Sequence, residues 1–225
     1  EFNAPDQDAN ATLTYELVSG AGDADNGLFA LDANGTLKTA TIFDFESNAS
    51  TYSVRVRAKD EHNASVESMF AVYLADLNEA PFNLVSVSVL SVLENQPSGS
   101  LVGEFNATDQ DANSSLTYEL ASGAGGEANG LFFLDVNGTL KTAALFDFEN
   151  NASSYAIRVR VRDEHNISIE GIFTVNLLDL NEVPFDLVSV SVLSVAENQT
   201  VGSMVGEFNA TDQDANSSLT YELVS

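Results

Sequence analysis

Acidic side chains recur in short motifs along this chain of 225 residues, and most of the motifs stand where a predicted strand ends. Glu94 follows an apolar segment, and Asp163 follows a segment of alternating arginines. The other motifs are Asp109-Gln-Asp111, Asp147-Phe-Glu149 and Asp179-Leu-Asn-Glu182. Hard cations such as Ca²⁺ take about six to eight oxygen ligands from carboxylates, carbonyls and amides. A single acid at a strand end is usually a solvated turn residue, but the ordered set favours a calcium site.

Other site chemistries fit the composition poorly. Zinc prefers nitrogen and sulfur ligands, but the chain has no cysteine and only His62 and His165, which occupy equivalent positions in a repeat. The absence of cysteine also excludes thiol catalysis and disulfides. Asp147 and Glu149 could suggest the carboxylate pair of a glycosidase. These acids recur in each copy, however, and the chain has no tryptophan for a sugar platform, so we do not expect an enzyme.

The net charge limits the classes of molecule that this chain is expected to bind. There are 34 acidic and 8 basic side chains, with a formal charge of −26. Such a surface repels the phosphates of nucleic acids and anionic membranes, so cations are the expected partners. The chain is nevertheless 44% hydrophobic, which predicts a buried core. The most apolar stretch, residues 84–93, is interrupted by serines, so this fragment is not expected to insert into a membrane.

An internal repeat organises the motifs. The segment that begins at Glu1 returns at Glu104 and at Glu207, so the repeat length is 103 residues. Because this length is that of a domain, the sequence predicts a tandem array of whole modules. We expect residues 1–81 to be a module without its first strand, residues 82–184 to be a complete module, and residues 185–225 to be the N-terminal fragment of a third.

The elements that carry these motifs are predicted to be strands. Apolar residues at 155, 157, 159 and 161 alternate with three arginines, as in a strand with one buried face. Asn137-Gly138 indicates a hairpin, since both residues tolerate positive φ. The apolar positions change phase between Val89 and Leu90, which predicts a bulge or a switch between sheets. About seven short strands within ~100 residues are typical of an all-β sandwich.

Taken in order, the motifs resemble those of the extracellular cadherin repeat, in a form similar to that of large bacterial surface proteins. The resemblance implies tandem Greek-key β-sandwiches of the immunoglobulin-like, cadherin type in an extracellular, cell-surface protein. It rests on Glu-Asn-Gln at 94–96, Asp-Gln-Asp at 109–111, Asn-Gly-Thr-Leu-Lys-Thr-Ala at 137–143, Asp-Phe-Glu at 147–149, Val-Arg-Asp-Glu-His-Asn at 161–166 and Asp-Leu-Asn-Glu-Val-Pro-Phe at 179–185.

The resemblance also implies that each junction binds three Ca²⁺ ions. At the first junction the side-chain ligands would be Asp44, Glu46, Asp76, Asn78, Glu79, Asp109, Asp111 and Asp163, with the carbonyls of Leu77, Ala80 and Asn113. At the second they would be Glu94, Asp147, Glu149, Asp179, Asn181, Glu182, Asp212 and Asp214, with the carbonyls of Leu180, Val183 and Asn216. Each junction has an acidic linker, residues 76–80 at the first and 179–183 at the second. In both linkers a glutamate, Glu79 or Glu182, stands where the family usually has aspartate. The longer side chain is expected to alter the geometry.

The crowding of these carboxylates predicts a mechanical role. Close carboxylates repel one another unless a counter-ion lies between them. Calcium should therefore stiffen a junction that is floppy without it. Together with the resemblance, this predicts a Ca²⁺-rigidified spacer or adhesion module of a large cell-surface protein, with neighbouring repeats and other cell-surface proteins as the expected partners. The alternative is a carbohydrate-binding module, in which the basic stripes at 55–59 and 158–162 would bind an acidic polysaccharide instead of pairing with neighbouring carboxylates.

A second expectation concerns association between molecules. The segment from Leu187 to Glu197 could complete the first module of another copy and give head-to-tail strand exchange. The competing expectation is that residues 185–225 simply fray.

Overall fold

The computed structural model describes residues 2–5, 11–215 and 217–224. Segments of alternating apolar and polar residues within these ranges form strands. These residues divide into two units. The first contains the described residues up to Glu79 together with Gln110–Asn113, and the second contains Ala80–Asp109 and the described residues from Ser114 onward. No helix within the described ranges is long and apolar enough to cross a membrane. The expected ligand Asn216 lies outside the described residues.

The first unit contains five described strands. They are β1 (Thr14–Leu17), β2 (Phe29–Leu31), β3 (Leu37–Thr39), β4 (Thr51–Lys59) and β5 (Ser65–Tyr73), with a short 3-10 helix at Asn26–Leu28. Strands β1, β4 and β5 form an antiparallel sheet, and β2 pairs with β3. Alternate side chains of β4 face inward, where Tyr52, Val54 and Val56 pack with Phe29.

The second unit contains a β-sandwich. Its strands are β6 (Phe82–Ser86), β7 (Ser91–Leu93), β8 (Leu101–Thr108), β9 (Thr117–Leu120), β10 (Phe132–Leu134), β11 (Thr139–Thr142), β12 (Ser154–Arg162) and β13 (Ser168–Leu178), with a 3-10 helix at Asn129–Leu131. One four-stranded sheet has the order β10-β11-β8-β6 and the other β7-β13-β12-β9. Leu140 of the first sheet and Ile157, Val159 and Val175 of the second are fully buried in the core. The expected all-β sandwich is confirmed.

The opening strand crosses between the two sheets. Strand β6 pairs with β8 in one sheet, whereas β7 pairs in parallel with β13 in the other. The predicted change of phase between Val89 and Leu90 marks this crossing: Val89 is exposed and Leu90 is buried. The crossing divides the opening segment, so residues 80–178 contain eight strands instead of about seven. The described residues after Pro184 add β14 (Phe185–Ser189) and β15 (Phe208–Thr211), which pair with each other.

The predicted hairpin at Asn137-Gly138 joins β10 and β11, but only the glycine has positive φ, at 91°. The Gly138 N–H donates to the carbonyl of Asp135 at 2.9 Å, which closes the turn. A Cβ at position 138 would lie 2.7 Å from the Phe105 carbonyl oxygen. Glycine is therefore required both by the backbone conformation and by the close approach of β8.

The basic stripes are paired with carboxylates on the neighbouring strands. Glu170 on β13 accepts from Arg158 and Arg160, and Glu119 on β9 accepts from Arg160 and Arg162. In the first unit Glu67 and Glu16 pair with Arg55, Arg57 and Lys59 in the same pattern. Cross-strand ion pairs of this kind satisfy the basic residues within the sheet. The interpretation that these stripes pair with neighbouring acids is confirmed.

Candidate metal centre

The first acidic cluster lies in the first unit. One carboxylate oxygen from each of Glu46, Asp76, Glu79 and Asp111 lies within 4.8 Å of the others. Asp76 and Glu79 belong to the linker segment after β5, and Glu46 to the loop before β4. The backbone N–H of Glu79 donates to Asp111 Oδ2 at 3.1 Å, which fixes the linker beside that acid.

The second unit repeats this arrangement and extends it. Glu149, Asp179 and Asp214 form a group that corresponds to Glu46, Asp76 and Asp111 one repeat earlier, and Glu94, Asp147 and Glu149 form an adjacent group. Within each group the ligand oxygens lie within 4.8 Å of one another. Glu149 belongs to both groups. A carboxylate in this position can bridge two cations, with one oxygen toward each.

Glu94 is the structural centre of the second cluster. Its side chain is buried, with a relative exposure of 1%. Oε1 accepts from the backbone N–H of Leu180 at 2.9 Å, and Oε2 accepts from the backbone N–H of Phe148 at 2.7 Å. One carboxylate therefore connects the linker to the Asp-Phe-Glu loop. Sequence reasoning predicted Glu94 as a ligand but did not predict that it organises the backbone of the site.

The equivalent residues Asp44 and Asp147 differ in their surroundings. Both close a turn: Asp44 Oδ1 accepts from the N–H groups of Glu46 and Ser47 at 3.1 Å, and Asp147 Oδ1 accepts from Asn150 at 3.0 Å. Only Asp147 joins an acidic group among the described residues. That group also contains Glu94 and Glu149.

Electrostatics opposes the ionised form of several of these acids. Burial raises the pKa of Glu79 above its ordinary value, and the nearby carboxylates of Glu46, Asp111 and Asp76 raise it further. Burial likewise raises the pKa of Glu149, Glu182 and Asp214, with a contribution from acidic neighbours in each case. The sites therefore concentrate negative charge that a cation would compensate.

Three carboxylate oxygens show that the donor set fits a cation. Glu79 Oε2, Glu149 Oε2 and Glu182 Oε2 are buried, and none has a hydrogen-bond partner in the described part of the chain. A buried polar atom without a partner is costly. Oxygen-only ligands at this density are those that Ca²⁺ prefers, whereas zinc would require nitrogen or sulfur. The residues present therefore fit calcium.

The remaining predicted ligands lie at the ends of strands or in the linkers. Asp109 follows β8, and Asp163 follows β12, where its Oδ1 accepts from the N–H groups of His165 and Ile167. Asp212 Oδ1 accepts from the Asp214 N–H at 3.0 Å. In each linker the asparagine amide, of Asn78 or Asn181, donates to the carbonyl of the next residue. Calcium ligation through backbone carbonyls stays a prediction for Leu77, Ala80, Asn113, Leu180 and Val183.

The predicted ligand Glu182 lies outside the two acidic groups of the second unit, and one contact that it makes involves a residue that sequence reasoning missed. The side-chain amide of Asn95 donates to Glu182 Oε1. Asn95 follows Glu94 in the Glu-Asn-Gln motif, and that motif returns with Asn198 at its centre. The repetition of asparagine beside the buried glutamate was the signal available in the sequence.

Together these features define a class: tandem β-sandwiches with acidic linkers. Residues 88–178 match the family model of the cadherin domain. Over 231 residues the chain is 32% identical to human Protocadherin Fat 4, covering 97% of this chain but only 4% of that protein.

Solved structures show the same fold. The crystal structure of human Protocadherin-24 EC1-2 (Form II) has a TM-score of 0.59 and 24% identity, covering 78% of this chain and 85% of that one. Protocadherin Gamma B7 extracellular cadherin domains 1-4 give a TM-score of 0.55 at 22% identity, with 92% and 51% covered. The chain belongs to the cadherin family of extracellular, cell-surface domains. The narrower expectation of a bacterial-type form stays a prediction.

Proposed function

We propose that this chain is a calcium-binding segment of a cell-adhesion protein, in which Ca²⁺ stiffens the linkers between successive repeats. The carboxylate of Glu149 carries the proposal. It belongs to two adjacent acidic groups, and its Oε2 is buried without a hydrogen-bond partner among the described residues. Its pKa is raised by burial and by neighbouring acids, so the ionised form needs a positive partner.

The proposed second site draws its ligands from different parts of the second unit. Glu94 follows the opening strand β7, Asp147 and Glu149 lie in the loop before β12, Asp179 lies in the linker, and Asp214 follows β15 in the next repeat. When bound, calcium would supply the positive charge that allows these carboxylates to remain close together. The linker and the start of the next repeat would then be held to the end of the sandwich.

The proposed first site uses Glu46, Asp76, Glu79 and Asp111; three of these, Glu46, Asp76 and Asp111, are the equivalents of Glu149, Asp179 and Asp214. The family resemblance adds Asp44, Asn78, Asp109 and Asp163.

Adhesion fits the described surface better than polysaccharide binding does. The arginines that an acidic polysaccharide would need are already paired with Glu119 and Glu170 in the second unit and with Glu16 and Glu67 in the first. The adhesive partner is proposed only at the level of neighbouring repeats and other cell-surface proteins. Catalysis is not proposed. Head-to-tail strand exchange stays a prediction.

Calcium titration by calorimetry, with matched melting curves, tests the proposal. We expect binding by the unmodified chain and a higher melting temperature, because ligand that binds only the folded state adds about 2.7 kcal/mol at one hundred times its Kd. Glu149→Ala should weaken binding about tenfold or more, since it removes charge from two ion positions. Glu104→Ala is the matched control, because Glu104 is exposed on β8 and belongs to none of the acidic groups.

Two results would contradict this function. The first is an unchanged melting temperature in millimolar calcium and in chelator. The second is equal calcium affinity for Glu149→Ala and Glu104→Ala. Small-angle scattering provides an independent readout, since stiffer linkers should give a longer and narrower particle in calcium than in chelator.

A further inference from the structure

The acid of the second linker, Glu182, has Glu94, Asp214 and Glu149 as electrostatic neighbours and has one more rotatable bond than the aspartate usual in this family. A longer side chain loses more conformational entropy when a bound ion fixes it. Substituting glutamate for aspartate should therefore weaken a site unless another group holds the carboxylate in place. In this chain the side-chain amide of Asn95 contacts that carboxylate directly, through a hydrogen bond from Nδ2 to Glu182 Oε1.

Asn95 is itself held firmly. Its backbone adopts the left-handed conformation with φ 58°, which asparagine tolerates better than most residues. Its backbone N–H donates to the Phe146 carbonyl at 2.9 Å. The preceding residue, Glu94, is buried, and both of its carboxylate oxygens accept backbone N–H groups. The amide of Asn95 is therefore presented from a fixed backbone.

The backbone of Glu182 is fixed as well. Its N–H donates to Asp214 Oδ2 at 3.0 Å, and its carbonyl accepts from the amide of Asn181 at 2.6 Å. With Oε1 held by Asn95, the remaining oxygen, Oε2, is buried and has no hydrogen-bond partner among the described residues. The Glu182 side chain therefore has one carboxylate oxygen, Oε2, available to a cation.

We propose that Asn95 is a positioning residue for calcium at the second linker: its amide holds Glu182 Oε1, so that Oε2 is directed toward the ion. The inference rests on the proposed calcium function and adds a residue that contacts the ligand's carboxylate without contacting the ion. It explains how a linker glutamate can replace the shorter aspartate. The amide acts as an outer-shell partner, and such partners commonly change metal affinity by about 10- to 100-fold.

The chain contains its own controls. Asn198 occupies the same place in the next copy of the motif, with φ 66°, and no side-chain hydrogen bond from it is present among the residues that the structure describes. Glu79 is the equivalent linker acid in the first unit. A change at Asn95 should therefore affect the second linker only.

A double-mutant cycle on the full chain tests the proposal. Glu46 and Glu79 are first changed to glutamine, so that calorimetric calcium titration reports on the second linker. Asn95→Gly removes the amide while keeping a residue that tolerates positive φ, and we expect about a tenfold loss of calcium affinity. Glu182→Asp shortens the side chain so that it no longer reaches Asn95. In that background, Asn95→Gly should change the affinity less than about twofold.

Melting curves in calcium-free buffer accompany each titration, and Asn198→Gly should match the unmodified chain in both measurements. A purely structural role for Asn95 would lower affinity equally in the two backgrounds, and that result would overturn the inference. So would an unchanged affinity for Asn95→Gly when the unmodified chain binds normally. If the unmodified chain binds no calcium at either linker, the proposed function falls, and the inference falls with it.

Discussion

Replacing Glu94 with alanine should destabilise the second unit even when no calcium is present. The side chain has a relative exposure of 1%, so water has little access to its oxygens. Its two oxygens accept from the backbone N–H groups of Leu180 and Phe148, at 2.9 Å and 2.7 Å. The substitution removes both acceptors at once and leaves two donors without partners at the junction of linker and loop.

The magnitude follows from these two donors. Leaving one buried donor unsatisfied costs about 1–3 kcal/mol, so the loss of both predicts a fall of about 2–6 kcal/mol in the free energy of unfolding. Removing a negative charge beside Asp147 and Glu149 relieves some repulsion. We therefore expect a value in the lower half of that range. Glu94→Gln retains one carbonyl acceptor and should lose about half as much.

Hydrogen exchange in calcium-free buffer measures this effect without interference from metal binding. Backbone amides in the core of the second unit, such as that of Val159, exchange through large-scale opening. A loss of about 2 kcal/mol corresponds to roughly 30-fold faster exchange. Glu104→Ala is the control for removing an exposed acid from the same unit.

The hydrogen-bond argument would be refuted by a change below about 1 kcal/mol in Glu94→Ala. It would also be refuted if Glu94→Gln were as destabilising as Glu94→Ala, because the number of retained acceptors would then not matter.

Two further predictions concern pH and the hairpin turn. Because the fold raises the pKa of Glu79, Glu149, Glu182 and Asp214, protonating them favours the folded state, so the calcium-free melting temperature should rise as pH falls from neutral toward about 5. Hydrogen bonds from Arg57 and Arg160 hold the pKa values of Glu67 and Glu170 below the usual range of glutamate. Protonating these two glutamates at lower pH removes the stabilisation that the ion pairs provide, so the melting temperature should fall again below about pH 4. Saturating calcium should abolish the rise, and an unchanged rise would contradict it. Gly138→Ala should lower the free energy of unfolding, measured by urea denaturation, by about 1–2 kcal/mol or more, because φ at this position is 91°. Gly130→Ala, whose added Cβ has no atom within 4 Å, should lower it much less.

Local sequence patterns predicted the strands well where one face is buried. The alternation along β12 identified Ile157 and Val159 as core residues, and the phase change at Val89 located the crossing between sheets. The predicted conformation of the turn at Asn137 was less accurate. Asparagine before glycine permits positive φ at both residues, but only the glycine adopts it here. The local residues permit both geometries. The approach of β8 to Gly138 is a tertiary feature that the pair alone does not contain.

The acidic motifs were predictable as a set, but their connections were not. Glu94 is 86 residues from Leu180 and 54 from Phe148 in sequence, so its hydrogen bonds depend on the folded arrangement of linker and loop. The same holds for Asn95, which is 87 residues from Glu182. Residue type and repetition identify candidate ligands, whereas the groups that orient those ligands are distant in sequence and become visible only in the structure.

The net charge of −26 is not spread evenly over the described surface, because the basic residues are concentrated away from the acidic linkers. All 8 lysines and arginines pair with acids on the sheets or in the hairpin turns: Lys38 with Asp32, Lys141 with Asp135, and the six residues of the two stripes with Glu16, Glu67, Glu119 and Glu170. In the described part of the chain no lysine or arginine forms an ion pair with Glu79, Glu149 or Glu182. Because the chain's basic side chains are already engaged elsewhere, the proposed calcium ions are the positive charge available to the linker acids. This distribution supports the proposal that the linkers, and not the sheets, respond to cation concentration.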